Sequence, residues 1–189
     1  GLRQHVYLGG RGDQSPQKSR HLRSRAETAA VLASGSVPVT TLRAAMVIGP
    51  GSAAFDTITA LVDRLPGMIC PRWVSTRTQP IALADIAAYL AAAAGHEAMM
   101  GQSFDAGGPE VMTYREMIER IARIRGKRPL IVEVPVLTPR LSSYWLHLVT
   151  PVHANVARPL IEGLRNATVA NDERLRRLVP RPLTHFDEA

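Results

Sequence analysis

Two rhythms of apolar and polar positions alternate along the chain, one with the period of strands and one with that of helices. RQHVYLGG reads as a strand that stops at Gly9-Gly10 and opens into the polar loop RGDQSPQKS. A helix is expected from about His21 to Ala33, closed by Gly35 just past its end. VPVTTLRAAMVIG, rich in β-branched residues, predicts one buried strand terminated by Gly49-Pro50-Gly51. Ser52 is placed to cap a helix through about Leu65, with Phe55, Ile58, Thr59, Leu61 and Val62 as its apolar face.

The proline-punctuated LPGMICPRW leads to TQPIALADIAAYLAAAAG, which predicts a short extended piece and then an alanine-rich helix. GQSFDAGG is a further strand with a glycine stop. Thr113 then starts the amphipathic helix YREMIERIARIRG, with Met117, Ile118, Ile121, Ala122 and Ile124 on one side, and LIVEVP follows as a strand. From Pro135 onward the pattern becomes helical segments broken by proline. The alternation of strand and helix predicts an α/β fold with parallel pairing.

Composition narrows this picture. With 189 residues, 46% of them apolar, the chain can bury a substantial core. Its net charge of +7 comes from arginine, because Lys18 and Lys127 are the only lysines. The basic residues are interspersed with acids and form no single run, so no nucleic-acid role is expected. Cys70 stands alone, which leaves no disulfide framework and no metal or redox motif, and points to a reducing, cytoplasmic setting. The longest apolar run, around Ile81 to Ala94, contains Asp85 and falls short of the roughly 20 residues of a membrane span.

Five motifs, in order, resemble the short-chain dehydrogenase/reductase superfamily in its extended and atypical branches, the epimerase/dehydratase-like and NmrA-like proteins. VYLGG stands where that family has the strand ending near a catalytic Ser or Thr, and HLRSRAE where it has YxxSK. LRAAMVIGPGS resembles the family's LRPxxVYGPG, PIALADIAAYL its FIHVxDVAxAL, and GQSFDAGGPEVMTYREMIERI its GxxFNIGGxExxTxxEL. The matches cover about residues 5–135, and the ending PRPLTHFDEA is similar to the end of the substrate-capping region in atypical members. The resemblance implies the C-terminal part of a Rossmann-like parallel sheet (1–50 and 77–108) and a mostly helical substrate-capping region (51–76 and 109–189). It also implies that the chain is a fragment. The family's glycine-rich turn, which cradles the dinucleotide pyrophosphate on a helix N-terminus, has no counterpart here, so NAD or NADP would be held mainly through sequence outside these residues. Completing the sheet would need a missing N-terminal half or a partner chain.

The same resemblance assigns site residues. In the family a Tyr handles a proton at the substrate oxygen, and a Lys one helical turn later holds the nicotinamide ribose. By spacing, His21 takes the Tyr position and Arg25 the Lys position, with both on one helix face. Arg25 retains donors for ribose hydroxyls or a phosphate, and a histidine can act as a general acid near neutrality. Gly9 and Gly10 replace the family's hydroxyl residues. Ala44, Ala45 and Met46 match the backbone stretch that passes beside the nicotinamide, and Arg77 matches a substrate-anion position. Asp85 is expected to cap its helix or support local structure, and Tyr114 and Tyr144 are expected to be structural.

Three readings follow: an NAD(P)-dependent oxidoreductase or epimerase-like enzyme acting on a small molecule, a catalytically silent NAD(P)-binding regulator or assembly factor, and a peripheral membrane or interaction module. The third rests on LSSYWLHLVTPVHANVARPLIEGLR, where Trp145, Leu146, Leu148 and Val149 are expected to form an exposed apolar surface; lining of a substrate cap is the competing role for that stretch.

Overall fold

The computed structural model describes residues 1–11, 20–134 and 167–189, with the side chains of 20–22 outside the description. Strands β1 (His5–Gly10), β2 (Val39–Ala44) and β7 (Ser103–Ala106) form a parallel sheet in the order β1-β2-β7. Leu8 is level with Leu42, Gly10 with Ala44, and Ala44 with Ala106. Every β2 residue except Arg43 is buried. That explains its apolar and threonine-rich run, since a central parallel strand is covered on both faces. The fully buried Thr40 hydroxyl donates to the Met99 carbonyl at 2.7 Å and accepts from the Gln4 amide at 2.7 Å, so it is not left orphaned.

Helix α1 (Arg20–Ala33) connects β1 to β2 and packs on both; α3 (Leu83–Ala93) precedes β7 and packs on β1 and β2. Three short pairings complete the described sheet structure. Strand β3 (Val47–Ile48) pairs in parallel with β6 (Ile81–Ala82), β4 (Gly67–Pro71) in parallel with β9 (Leu130–Val134), and β5 (Arg77–Thr78) antiparallel with β8 (Met112–Thr113). The remaining helices are α2 (Ala53–Arg64), α4 (Tyr114–Ile124) and α5 (Glu173–Leu178).

Two apolar cores result. One joins Leu42, Ala44, Ile86, Tyr89 and Phe104 with Leu175 from the C-terminal segment. The other joins Ile58, Val62, Met68, Met117 and Ile121 with Met46 and with Phe186 from the same segment. Residues 167–189 therefore tie into both.

Most predicted elements are present, with some departures; Ser52 stands at the N-cap of α2, but its side chain makes no capping hydrogen bond. VPVTTLRAAMVIG is two strands, because the chain leaves the main sheet after Ala44 and re-pairs with β6, the Met46 carbonyl accepting from the Ile81 amide at 2.9 Å. LPGMICPRW contains β4, in which Met68 and Cys70 are buried while Gly67 and Ile69 are exposed; Pro66 and Pro71 bound the ladder without interrupting it. Gly35 follows α1 without a left-handed conformation. Ile124, expected on the apolar face of α4, is 59% exposed at the last turn. That helix begins with a complete capping box between Thr113 and Glu116 and ends at Gly126, whose φ of +67° suits glycine. The expected helical region from Pro135, including Tyr144 and Trp145, lies outside the described residues.

Candidate functional site

Parallel α/β sheets bind ligands at the carboxyl ends of their strands, where the loops diverge. Gly9 and Gly10 end β1 there, level with Arg43 and Ala44 of β2, and the Arg11 amide donates to the Ala44 carbonyl at 2.7 Å. A Cβ at Gly9 would meet the Thr41 Cγ2 at 3.4 Å and the Arg43 Cγ at 3.6 Å, which are ordinary contacts. Packing therefore does not demand glycine at that position, which is itself buried.

Arg25 reaches this strand end from α1. Its Nη1 donates to the Leu8 carbonyl at 2.9 Å, while the Tyr7 hydroxyl donates to the Arg25 carbonyl at 3.3 Å. These bonds place the half-buried guanidinium beside Gly9, one turn along the helix from the backbone of His21. The side chain of His21 is outside the described residues. Arg25, Gly9, Gly10 and Ala44 are thus brought together, and Ala45 and Met46 continue directly from them. The Met46 side chain is buried in the second core and its carbonyl is taken by Ile81.

Arg77 stands apart, exposed on β5 and level with Thr113. There it reinforces Glu116, whose carboxyl is held below its usual range first by hydrogen bonds from the Thr113 amide and hydroxyl and then by the charge of Arg77. Asp85 supports structure but does not cap α3: buried, it accepts the Thr184 amide at 2.7 Å and pairs with Arg181 at 3.4 Å. Tyr114 is buried in the second core, as its structural reading requires, and burial raises its phenol pKa; burial likewise pushes the Cys70 thiol up to about 11. Neither is prepared for proton transfer or nucleophilic attack near neutrality.

Sequence reasoning missed the polar cluster beside Ala44. Asp105, at the carboxyl end of β7 and 4% exposed, binds Arg43 through Oδ1 at 2.9 Å and Arg11 through Oδ2 at 3.2 Å. Its Oδ2 also accepts the Asn171 amide at 3.1 Å. Next to it, buried Gln79 donates to the Gly108 carbonyl at 2.8 Å and accepts the Ala170 amide at 3.0 Å. The available signal was a charged residue near the end of each of two buried strands, in TTLRA and SFDA, since such residues are buried only when paired.

A guanidinium such as that of Arg25 is of the type that bonds ribose hydroxyls or phosphate, and Gly9, Gly10, Ala44 and Ala45 carry minimal side-chain bulk beside it. A glycine-rich pyrophosphate cradle is not encoded in these 189 residues.

No protein-family model and no curated protein sequence matches the chain. Solved structures do match in fold. A nucleoside-diphosphate-sugar epimerase from Staphylococcus aureus aligns with a TM-score of 0.73 at 16% identity, over 99% of this chain and 64% of that one. An NADPH-dependent quinone oxidoreductase from Escherichia coli aligns at 0.75 and 16% identity, over 99% and 66%. A Citrobacter sp. triphenylmethane reductase, solved with NADP(H), aligns at 0.70 and 15% identity, over 99% and 64%. The chain thus spans less than two thirds of the length of each. At these identities the likeness establishes the architecture alone: a Rossmann-like α/β fold shared with these three proteins.

Proposed function

We propose that this chain is the carboxyl-side part of an NAD(P)-dependent oxidoreductase or epimerase-like protein acting on a small molecule. The observation that carries the reading is the placement of Arg25: its guanidinium is fixed on the Leu8 carbonyl at the carboxyl end of the β1–β2 pair, beside the small residues Gly9, Gly10 and Ala44. When bound, a nicotinamide supplies or accepts the hydride. Arg25 orients the ribose, and His21, one turn away on the same helix, is the proposed proton donor to the substrate oxygen. The pyrophosphate turn would come from sequence outside these residues or from a partner chain. Among the described residues β1 is hydrogen-bonded to a strand on one side only, which is consistent with further strands adding there.

One observation favours a second reading, a cofactor-binding protein without turnover: the family's strand-end hydroxyl is replaced by Gly9-Gly10. The residues behind the membrane-peripheral reading, 141–165, lie outside the described part, and no helix among the described residues is long and apolar enough to cross a membrane.

The test is a fluorescence titration of NADPH and NADH against the longest natural polypeptide carrying this sequence, followed by a His21→Ala variant. Cofactor binding, with reduction of an accepted substrate lost in His21→Ala, supports the enzyme reading. Binding with no turnover of any aldehyde, quinone or nucleotide sugar supports the silent binder, and no binding refutes both.

A further inference from the structure

We propose that Asp105 is a positioning residue, through which the C-terminal segment holds the exit of β1 in the shape the cofactor site needs. This rests on the nicotinamide reading above. One carboxylate joins three parts of the chain. Oδ1 takes two donors of Arg43 on β2, both at 2.9 Å, while Oδ2 takes Arg11, the first residue after Gly9-Gly10, and the main-chain amide of Asn171. Arg11 closes the bracket, because its Nε and Nη2 also reach the Val169 carbonyl at 3.3 and 3.2 Å, and its own amide is fixed on Ala44. The exit of the glycine pair and residues 169–171 are therefore clamped to the same buried oxygen.

Among the described residues the bracket is one of four such attachments. Gln79, Asp85 and Glu110 accept the amides of Ala170, Thr184 and Phe186 at 3.0, 2.7 and 3.0 Å, so side chains of the sheet region grip the segment along its length. Among the described residues, only the Asp105 attachment also holds the strand end that carries Gly9 and Gly10. Asparagine at this position has a single acceptor oxygen. It can serve Arg43, or Arg11 with Asn171, but not both.

The variants Asp105→Asn and Arg11→Met, singly and together, are to be made in the longest natural polypeptide and examined by amide hydrogen exchange and NADPH titration. Arg11→Met removes a partly exposed side chain and leaves Asp105 its other partners, so it keeps the test informative if Asp105→Asn folds poorly. Exchange at Ala170 and Asn171 is expected to accelerate about tenfold in each variant, because local opening reports the lost attachments. The NADPH Kd is expected to rise about tenfold in each single variant and by much less than the product in the double, since the two residues act through one contact. Additive effects on Kd, or exchange unchanged from wild type, overturn the bracket. Faster exchange with unchanged Kd overturns its role at the site. If the wild-type protein binds no nicotinamide, the functional reading fails, and exchange alone decides whether the bracket exists.

Discussion

Replacing Gly108 by alanine tests the packing under the candidate site. The Gly107-Gly108 pair follows β7, and the Gly108 amide donates to the Pro80 carbonyl at 3.1 Å. A Cβ at Gly108 would sit far inside the van der Waals radius of that same Pro80 oxygen, and would lie 3.2 Å from the carbonyl carbon and 3.3 Å from the Ile81 Cα. The obstacle is main chain, so no rotamer change relieves it. Overpacking of this kind costs about 2–3 kcal/mol. Moving the loop also breaks the Gly108–Pro80 bond and disturbs the Gly108 carbonyl, which holds Gln79 and Arg176, adding about 1 kcal/mol. A loss of about 3–4 kcal/mol lowers Tm by roughly 6–16 °C in a domain of this size. Gly67→Ala is the control, because its added Cβ would meet the Leu130 carbonyl at an ordinary 3.5 Å. Thermal unfolding of both variants should separate them clearly. A Gly108→Ala protein melting within 2 °C of wild type would show that the close approach to Pro80 is not a real constraint.

Other consequences can be read with simple assays. Thr113→Ala removes the capping box of α4 and should cost about 1 kcal/mol in urea unfolding; Thr113→Ser should restore most of it. The Glu110 carboxyl is held down to about 2, first by its hydrogen bond to Arg120 and then by the Phe186 amide and His185, against the opposing effect of burial. Because its folded pKa is depressed, its contribution to stability is present above about 4.5 and fades as pH falls toward 2, so Glu110→Gln should flatten that part of the pH–stability curve. Cys70 is buried with its thiol pushed up to about 11, so a thiol reagent at neutral pH should label it only as fast as the protein opens, and denaturant should make labelling immediate.

The regular elements were readable because their signals are local. The capping residues of α4 and its 3.6-residue apolar rhythm lie within a dozen positions, and the two glycines ending β1 are adjacent. The ordered motifs pointed to the same fold that the solved structures share with this chain at 16% identity. What escaped depends on distant partners. Strand β4 looks irregular until β9, some 60 residues away, completes its ladder. The Asp105 cluster joins residues from opposite ends of the chain, Arg11 and Asn171, and no local pattern announces it. At the site itself, the position of Arg25 on its helix was legible from the spacing HLRSR, but its bond to Leu8 needed the packing of α1 on β1.

The most direct test of the account is the affinity of Arg25→Met for NADPH, measured beside wild type in the longest natural polypeptide, with Tm recorded for both. If Arg25 is the ribose-holding residue, Kd rises about tenfold or more, the loss expected when a charged hydrogen-bond donor is removed, while the protein stays folded. An unchanged Kd in a folded Arg25→Met protein would mean that the helix carries no cofactor contact, and the proposed site at the end of β1 would be wrong.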